Sequence, residues 1–255
     1  MINLLFLALA LILSLPAINP AAPPPEGIDP YQISRKLDEL YRSSSSRGEM
    51  TMTVATKHYT RTVSMKMWSR GLDDTLAVIT SPAKERGTAT LKRDREMWNY
   101  LPKIDKTIRI PPSMMMASWM GSDFTNDDLM RETSWEKDYT ISLAQDAPEG
   151  AVGLVYIPKP DAPVTWSKVV GYMELDTYLP TSIEYYDEKG RLVREMTFEE
   201  PIKMGGRTIP RRVVLTPLSK DKLGNSTILL YEKMEFDVPI EDNLFSLSAL
   251  RRRGR

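Results

Sequence analysis

Cysteine is absent from the 255 residues, which excludes disulfides, thiolate chemistry, Cys-ligated zinc and a lipid-modified N-terminal cysteine. Histidine occurs once, as His58, so a multi-histidine metal site is excluded as well. Net charge is also missing. Lys plus Arg and Asp plus Glu each total 34, leaving no global attraction to nucleic acid. There is no G-x-S-x-G elbow, and His58, between Lys57 and Tyr59, reads as an exposed turn residue. The sequence therefore reads as a non-enzyme without a cofactor. Phenylalanine is scarce at 5 residues, whereas methionine reaches 15. A flexible, polarizable side chain suits surfaces that must fit varied apolar partners, and it also fills ordinary cores.

From Leu4 to Leu15 the chain is apolar except at Ser14; it breaks at Pro16 and runs through small residues into Pro23, Pro24 and Pro25. Residues 1–22 read as a cleaved signal peptide, although no Lys or Arg precedes the apolar stretch. The alternative is a retained anchor, for which the stretch falls short of the roughly 20 apolar residues a membrane span needs. Either reading puts the bulk of the chain outside the cytoplasm, and the missing cysteine argues against an acyl anchor.

Residues 23–29 read as a Pro-rich tether, 30–250 as one domain and 251–255 as a basic tail. Asp29 is a candidate N-cap with Pro30 at the first helical position, and Ile33, Leu37, Leu40 and Tyr41 form one apolar stripe. From Gly48 onward the period is two. Met50, Met52 and Val54 alternate with threonines and Ala55, and Val63, Met65 and Met67 alternate with Thr62, Ser64 and Lys66. Further strands are predicted at 74–80, 87–93, 96–101, 106–110, 138–144, 151–158, 167–176, 181–187, 192–199, 208–215 and 226–237. Eleven or more strands without regular intervening helices predict a mainly β, antiparallel meander or open barrel. Pro111 to Gly121 and Thr125 to Arg131 do not alternate and read as short helices or an apolar loop covering one face of the sheet.

Several motifs then fall in a distinctive order. They are Arg86-Gly87-Thr88, Met97-Trp98-Asn99-Tyr100-Leu101-Pro102, Ile108-Arg109-Ile110, Met120-Gly121-Ser122-Asp123-Phe124-Thr125 with Asp127-Asp128-Leu129, and the closing Leu244-Phe245-Ser246-Leu247. Together they resemble the outer membrane lipoprotein-sorting protein branch of the LolA superfamily, over about Pro30 to Leu250. The resemblance implies a large antiparallel sheet curved into an incomplete half-barrel, with a few helices covering its concave face. It implies a periplasmic carrier that shelters acyl chains of lipoproteins or lipids during transfer towards the outer membrane. In the well-studied carrier branch an inner-membrane ABC transporter loads the protein and an outer-membrane receptor unloads it. For the branch matched here a companion inner-membrane transporter, of ABC or RND type, is the corresponding expectation, with the chain itself a monomer. The alternative is a periplasmic accessory subunit of an inner-membrane export pump or lipid transporter. Arg61 and Arg109 are the candidate positions for the arginine on which the carrier branch relies to switch between closed and open states.

The candidate ligand-binding set is Met50, Met52, Val54, Val63, Met65, Met67, Met173, Met196 and Phe198 on the sheet. In the interruption it is Met114, Met115, Trp119 and Met120. Two readings of the sheet residues stand, a packed core and the walls of a cavity, since period-two apolar residues serve either. The Met-rich interruption likewise reads as a movable lid or as a permanently docked segment. Asp123, Asp127 and Asp128 read as helix-capping residues, with Asp123 or Thr125 opening the helix. The tail, with four arginines in five residues, reads as mobile, either touching anionic headgroups or merely solubilising.

Overall fold

The computed structural model describes residues 27–40, 43–130, 135–162 and 164–254. The signal-peptide reading of 1–22 and the first part of the tether lie outside them. Asp29 caps the first helix, α1 (Pro30–Glu39), its carboxylate accepting a hydrogen bond from the Tyr31 N–H at 2.9 Å. The missing N–H of Pro30 costs nothing at the first helical position, and Ile33 and Ser34 are buried against the sheet.

Thirteen strands follow in one antiparallel sheet. The first six are β1 (Ser45–Ala55), β2 (Thr60–Arg70), β3 (Asp74–Ser81), β4 (Ala89–Arg93), β5 (Glu96–Leu101) and β6 (Lys106–Arg109). The rest are β7 (Tyr139–Leu143), β8 (Ala151–Pro158), β9 (Lys168–Glu174), β10 (Pro180–Tyr186), β11 (Leu192–Met204), β12 (Arg207–Pro217) and β13 (Ser226–Phe236). Each of the two runs is a simple meander, and they join where β1 pairs with β13, giving the order β6-β5-β4-β3-β2-β1-β13-β12-β11-β10-β9-β8-β7. The edges β6 and β7 do not pair, so the barrel stays open. Between these edges the described residues 110–130 run over the inner face and end in the short helix α2 (Asn126–Met130), and the short helix α3 (Trp135–Asp138) leads into β7.

Register puts the predicted alternation on that inner face. Met50 faces Met65 and Met52 faces Val63 across β1 and β2, and Met196 faces Leu215 and Phe198 faces Val213 across β11 and β12. The sequence pattern predicts β11 only over residues 192–199. The strand instead continues to Met204 in unchanged register, with Pro201 opposite Pro210.

The outer face of β3–β5 carries a second apolar layer of Leu76, Val78, Leu91 and Tyr100, covered by Leu244, Phe245 and Leu250. Leu250 belongs to α4 (Leu247–Gly254), which corrects the expectation of a mobile tail. Arg251 to Gly254 form its last turn, the Arg253 guanidinium lies 4.7 Å over the Trp68 ring, and Gly254 is buried. The apolar side chains just before the arginines hold the segment down, a contact that the charge of the run itself conceals. Among the described residues no helix is long and apolar enough to cross a membrane.

Candidate functional site

The half-barrel is filled near the β1–β2 turn and hollow beside it. Toward the β1–β2 turn, Met52, Val54, Val63 and Met65 are at most 2% exposed and pack with Ala77, Ile79, Met97 and Leu215. The crossing segment closes over them. Trp119 is buried and its indole N–H donates to the Thr90 hydroxyl of β4 at 3.1 Å; the Asp123 N–H donates to the Thr227 hydroxyl of β13 at 2.9 Å. For these four sheet residues the packed-core reading therefore describes the structure.

Beside this packed region the same face opens into two cavities of about 270 and 260 Å³. Both are lined by Asp38, Met50, Met67, Trp135, Phe198 and Tyr231, so they are lobes of one hollow. The first lobe adds Met173, Tyr156, Val169 and Ile183 and runs beneath Leu37 and Leu40 to Ser46, Ser69 and Thr75. The second adds Trp119, Phe124, Trp166, Tyr185 and Met196. Beyond the serines lies a polar cleft of about 520 Å³, lined by Arg35, Asp38, Glu39, Ser43, Ser44, Arg207 and Asp237.

Of the predicted set, Met50, Met67, Met173, Met196, Phe198 and Trp119 thus line the hollow. Met115 and Met120 are partly buried against the core at its filled end, whereas Met114 points outward at 48% exposure. The interruption is built of tight turns rather than a regular helix: 3-10 turns at Pro112–Met114 and Trp119–Gly121, and a bridge between Ser118 and Thr125. Such turns cannot present consecutive methionines to one side, which is why Met114 and Met116 remain outside.

The electrostatic centre of the site was not singled out from the sequence. Arg194 of β11 is 5% exposed and pairs with Asp128 of α2 through two hydrogen bonds of 2.8 and 2.6 Å. Its guanidinium lies 4.5 Å from the Trp166 ring centroid and 4.0 Å from that of Tyr185. Asp128 does cap a helix as expected, in reciprocal hydrogen bonds with Thr125 (Thr125 N–H to carboxylate 2.7 Å, Asp128 N–H to hydroxyl 3.2 Å). It also anchors the crossing segment to β11. Burial pushes its carboxyl up, but the charge and hydrogen bonds of Arg194, with those of Thr125, outweigh that and hold it below the ordinary aspartate range. A signal for Arg194 existed, because it shares period-two parity with Met196 and Phe198 and so belongs to the inner face.

Of the two candidate switch arginines, Arg61 pairs with Glu85 and donates from Nη1 to the Met120 carbonyl of the crossing segment at 2.7 Å. Arg109 instead pairs with Glu96 on the exposed edge. Tyr231, Trp135 and Trp166 were also missed. Tyr231 comes opposite Met50 through a register shift at Glu49/Met50, and the two tryptophans sit outside strands, where alternation says nothing.

A family model described as an uncharacterized protein matches residues 71–252. A LolA superfamily protein from Nitrosomonas europaea superposes with a TM-score of 0.72 at 22% identity, over 87% of this chain and 99% of that one. The chain belongs to the family of that model, and it has a LolA-like fold. A DUF1329 family protein from Desulfovibrio piger is similar to this chain at a TM-score of 0.76 and 26% identity, over 88% of this chain and all of that one. A putative outer membrane lipoprotein-sorting protein domain from Vibrio parahaemolyticus matches at a TM-score of 0.71 and 23% identity, over 87% and 98%. No curated protein sequence matches the chain. The LolA-like fold agrees with the open thirteen-stranded sheet.

Proposed function

We propose that this protein of LolA-like fold is a periplasmic carrier that shelters acyl chains of a lipoprotein or lipid during transfer towards the outer membrane, without altering them covalently. The observation that carries the reading is the two-lobed hollow, walled by Met50, Met67, Met173, Met196, Phe198 and aromatic rings. Each lobe alone falls below the roughly 300–1,000 Å³ of small-molecule pockets, and the two together fall within it. An acyl chain in water costs about 0.8 kcal/mol per methylene, on the order of 10 kcal/mol for a long chain, so crossing an aqueous space requires such shelter. Thioether side chains adapt to chains of different length and unsaturation. The serine-lined end and the polar cleft beyond it suit the polar head of the same amphiphile, held outside the apolar lobes. In this reading the N-terminal segment directs export, an inner-membrane transporter of ABC or RND type supplies the cargo, and an outer-membrane receptor takes it.

The test is native mass spectrometry of protein purified without detergent, with organic extraction of what accompanies it. Phospholipid or acylated peptide bound one to one is the expected result. Met67→Asp/Phe198→Asp, which adds two carboxylates to the walls shared by both lobes, is expected to release it while the protein stays folded. A folded wild type that remains empty after incubation with phospholipid and triacylated peptide overturns the carrier reading in favour of an accessory subunit of an export pump.

A further inference from the structure

The filled end of the half-barrel has a surface that the cavity does not explain. Four of the connections at that end form it: residues 56–59 between β1 and β2, 82–88 between β3 and β4, 102–105 between β5 and β6, and 218–225 between β12 and β13. They carry Lys57, Lys84, Arg86, Lys103, Lys220 and Lys222, all exposed, against three carboxylates, Glu85, Asp105 and Asp221. In a chain with no net charge, these four connections thus concentrate an excess of three positive charges. Two of the carboxylates are already engaged, Glu85 by Arg61 and Asp105 by the Tyr100 hydroxyl at 2.7 Å. Of the lysines, Lys222 makes only a long 3.7 Å contact with Asp123. Among these cations stand three exposed large apolar side chains, Tyr59 at 52%, Ile104 at 57% and Leu223 at 48%. The connections are adjacent in space. The Lys57 side chain lies 3.6 Å from the position a Cβ on Gly224 would take, and both Lys84 and Lys103 act electrostatically on Glu85.

Apolar tips surrounded by uncompensated lysines match the interface of an anionic bilayer, where side chains such as Tyr enter at headgroup level and each lysine is drawn to the surface. We propose that this end docks the protein reversibly on anionic lipid bilayers. The inference is independent of the carrier reading, since none of these residues lines the hollow. It also fixes an orientation. Strands of eleven residues such as β1 and β2 span about 36 Å, so a protein docked by this end holds its serine-lined opening away from that bilayer.

The experiment is vesicle flotation of the full mature protein, comparing phosphatidylcholine vesicles with vesicles containing about a third phosphatidylglycerol. Binding is expected to the anionic vesicles alone, and to collapse when salt is raised from about 0.1 to 0.5 M, as screening shortens the reach of the lysines. Lys57→Gln/Lys220→Gln is expected to weaken partitioning about 25-fold, about fivefold per charge, and Tyr59→Ser/Ile104→Ser/Leu223→Ser to weaken it further at unchanged circular dichroism. The cavity variant Met67→Asp/Phe198→Asp is expected to float like wild type. Equal flotation with neutral vesicles, no flotation at all, or flotation that the rim variants leave untouched overturns the proposal. So does flotation abolished by the cavity variant, which would mean that lipid capture, not docking, produced the signal.

Discussion

Replacing Asp128 by Asn removes one charge from the buried pair with Arg194 and changes almost nothing else in shape. The amide oxygen can still accept from the Thr125 N–H, so the helix cap is largely preserved. The guanidinium, 5% exposed between Trp166 and Tyr185, is left without its counter-charge. Stranding one partner of a buried pair costs about 3–5 kcal/mol. Equilibrium urea unfolding should show that loss as a lower midpoint with an unchanged slope. Adding Arg194→Met should recover at least half of it, because an apolar side chain of similar length no longer needs a carboxylate. The pair also sets an acid limit. Asp128 is held below its ordinary value, so its contribution is complete above about pH 4 and is lost as pH falls through the lower native value. That component of acid sensitivity should vanish in Asp128→Asn. A loss under about 1 kcal/mol, or a double variant no more stable than the single one, would refute the argument that this pair holds the crossing segment to β11.

Two further outcomes follow from local geometry. Glu235, hydrogen-bonded by Arg47 and Lys233, is pulled down to about 2; carboxyl NMR titration should find it there, and Arg47→Gln should move it up toward the ordinary glutamate range. Gly87 (φ +85°) and Gly190 (φ +69°) both adopt left-handed backbone, but a Cβ on Gly87 would lie 1.9 Å from the Gly254 carbonyl oxygen, whereas one on Gly190 meets open space. Gly190→Ala should therefore cost only the conformational strain, about 1–3 kcal/mol, and Gly87→Ala clearly more by thermal unfolding, as α4 is pushed off β4; equal losses would refute the close packing.

The parts of the fold that depend on local rules were legible. The cap of α1 and the inner-facing residues of β1, β2 and β11 follow from spacing alone, since a side chain's face is set by parity. Which inner-facing residues meet space and which meet one another was not legible. Met52 and Met50 have the same parity on the same strand, yet Met52 is wholly buried and lines neither lobe while Met50 lines both. That difference is decided by where a non-repeating segment crosses, and its path depends on contacts with Thr90 and Thr227 far away in the chain. Arg194 was passed over for a related reason. A charge in an apolar register reads as a break in the pattern until its partner, 66 positions earlier, is brought beside it.

The seam between β1 and β13 has a consequence for how the chain reaches this state. Met52 pairs with Leu229 and Arg47 with Glu235, contacts between the first and last strands that exist only once nearly all of the chain is available. Until then β1–β6 form a curved sheet with β1 as a bare edge and its apolar side uncovered, a template for pairing with another copy. Closing so long a loop is slow. The same central position that makes the seam the keystone of the finished sheet makes it the joint of great sequence separation whose opening bares an edge for pairing with another copy.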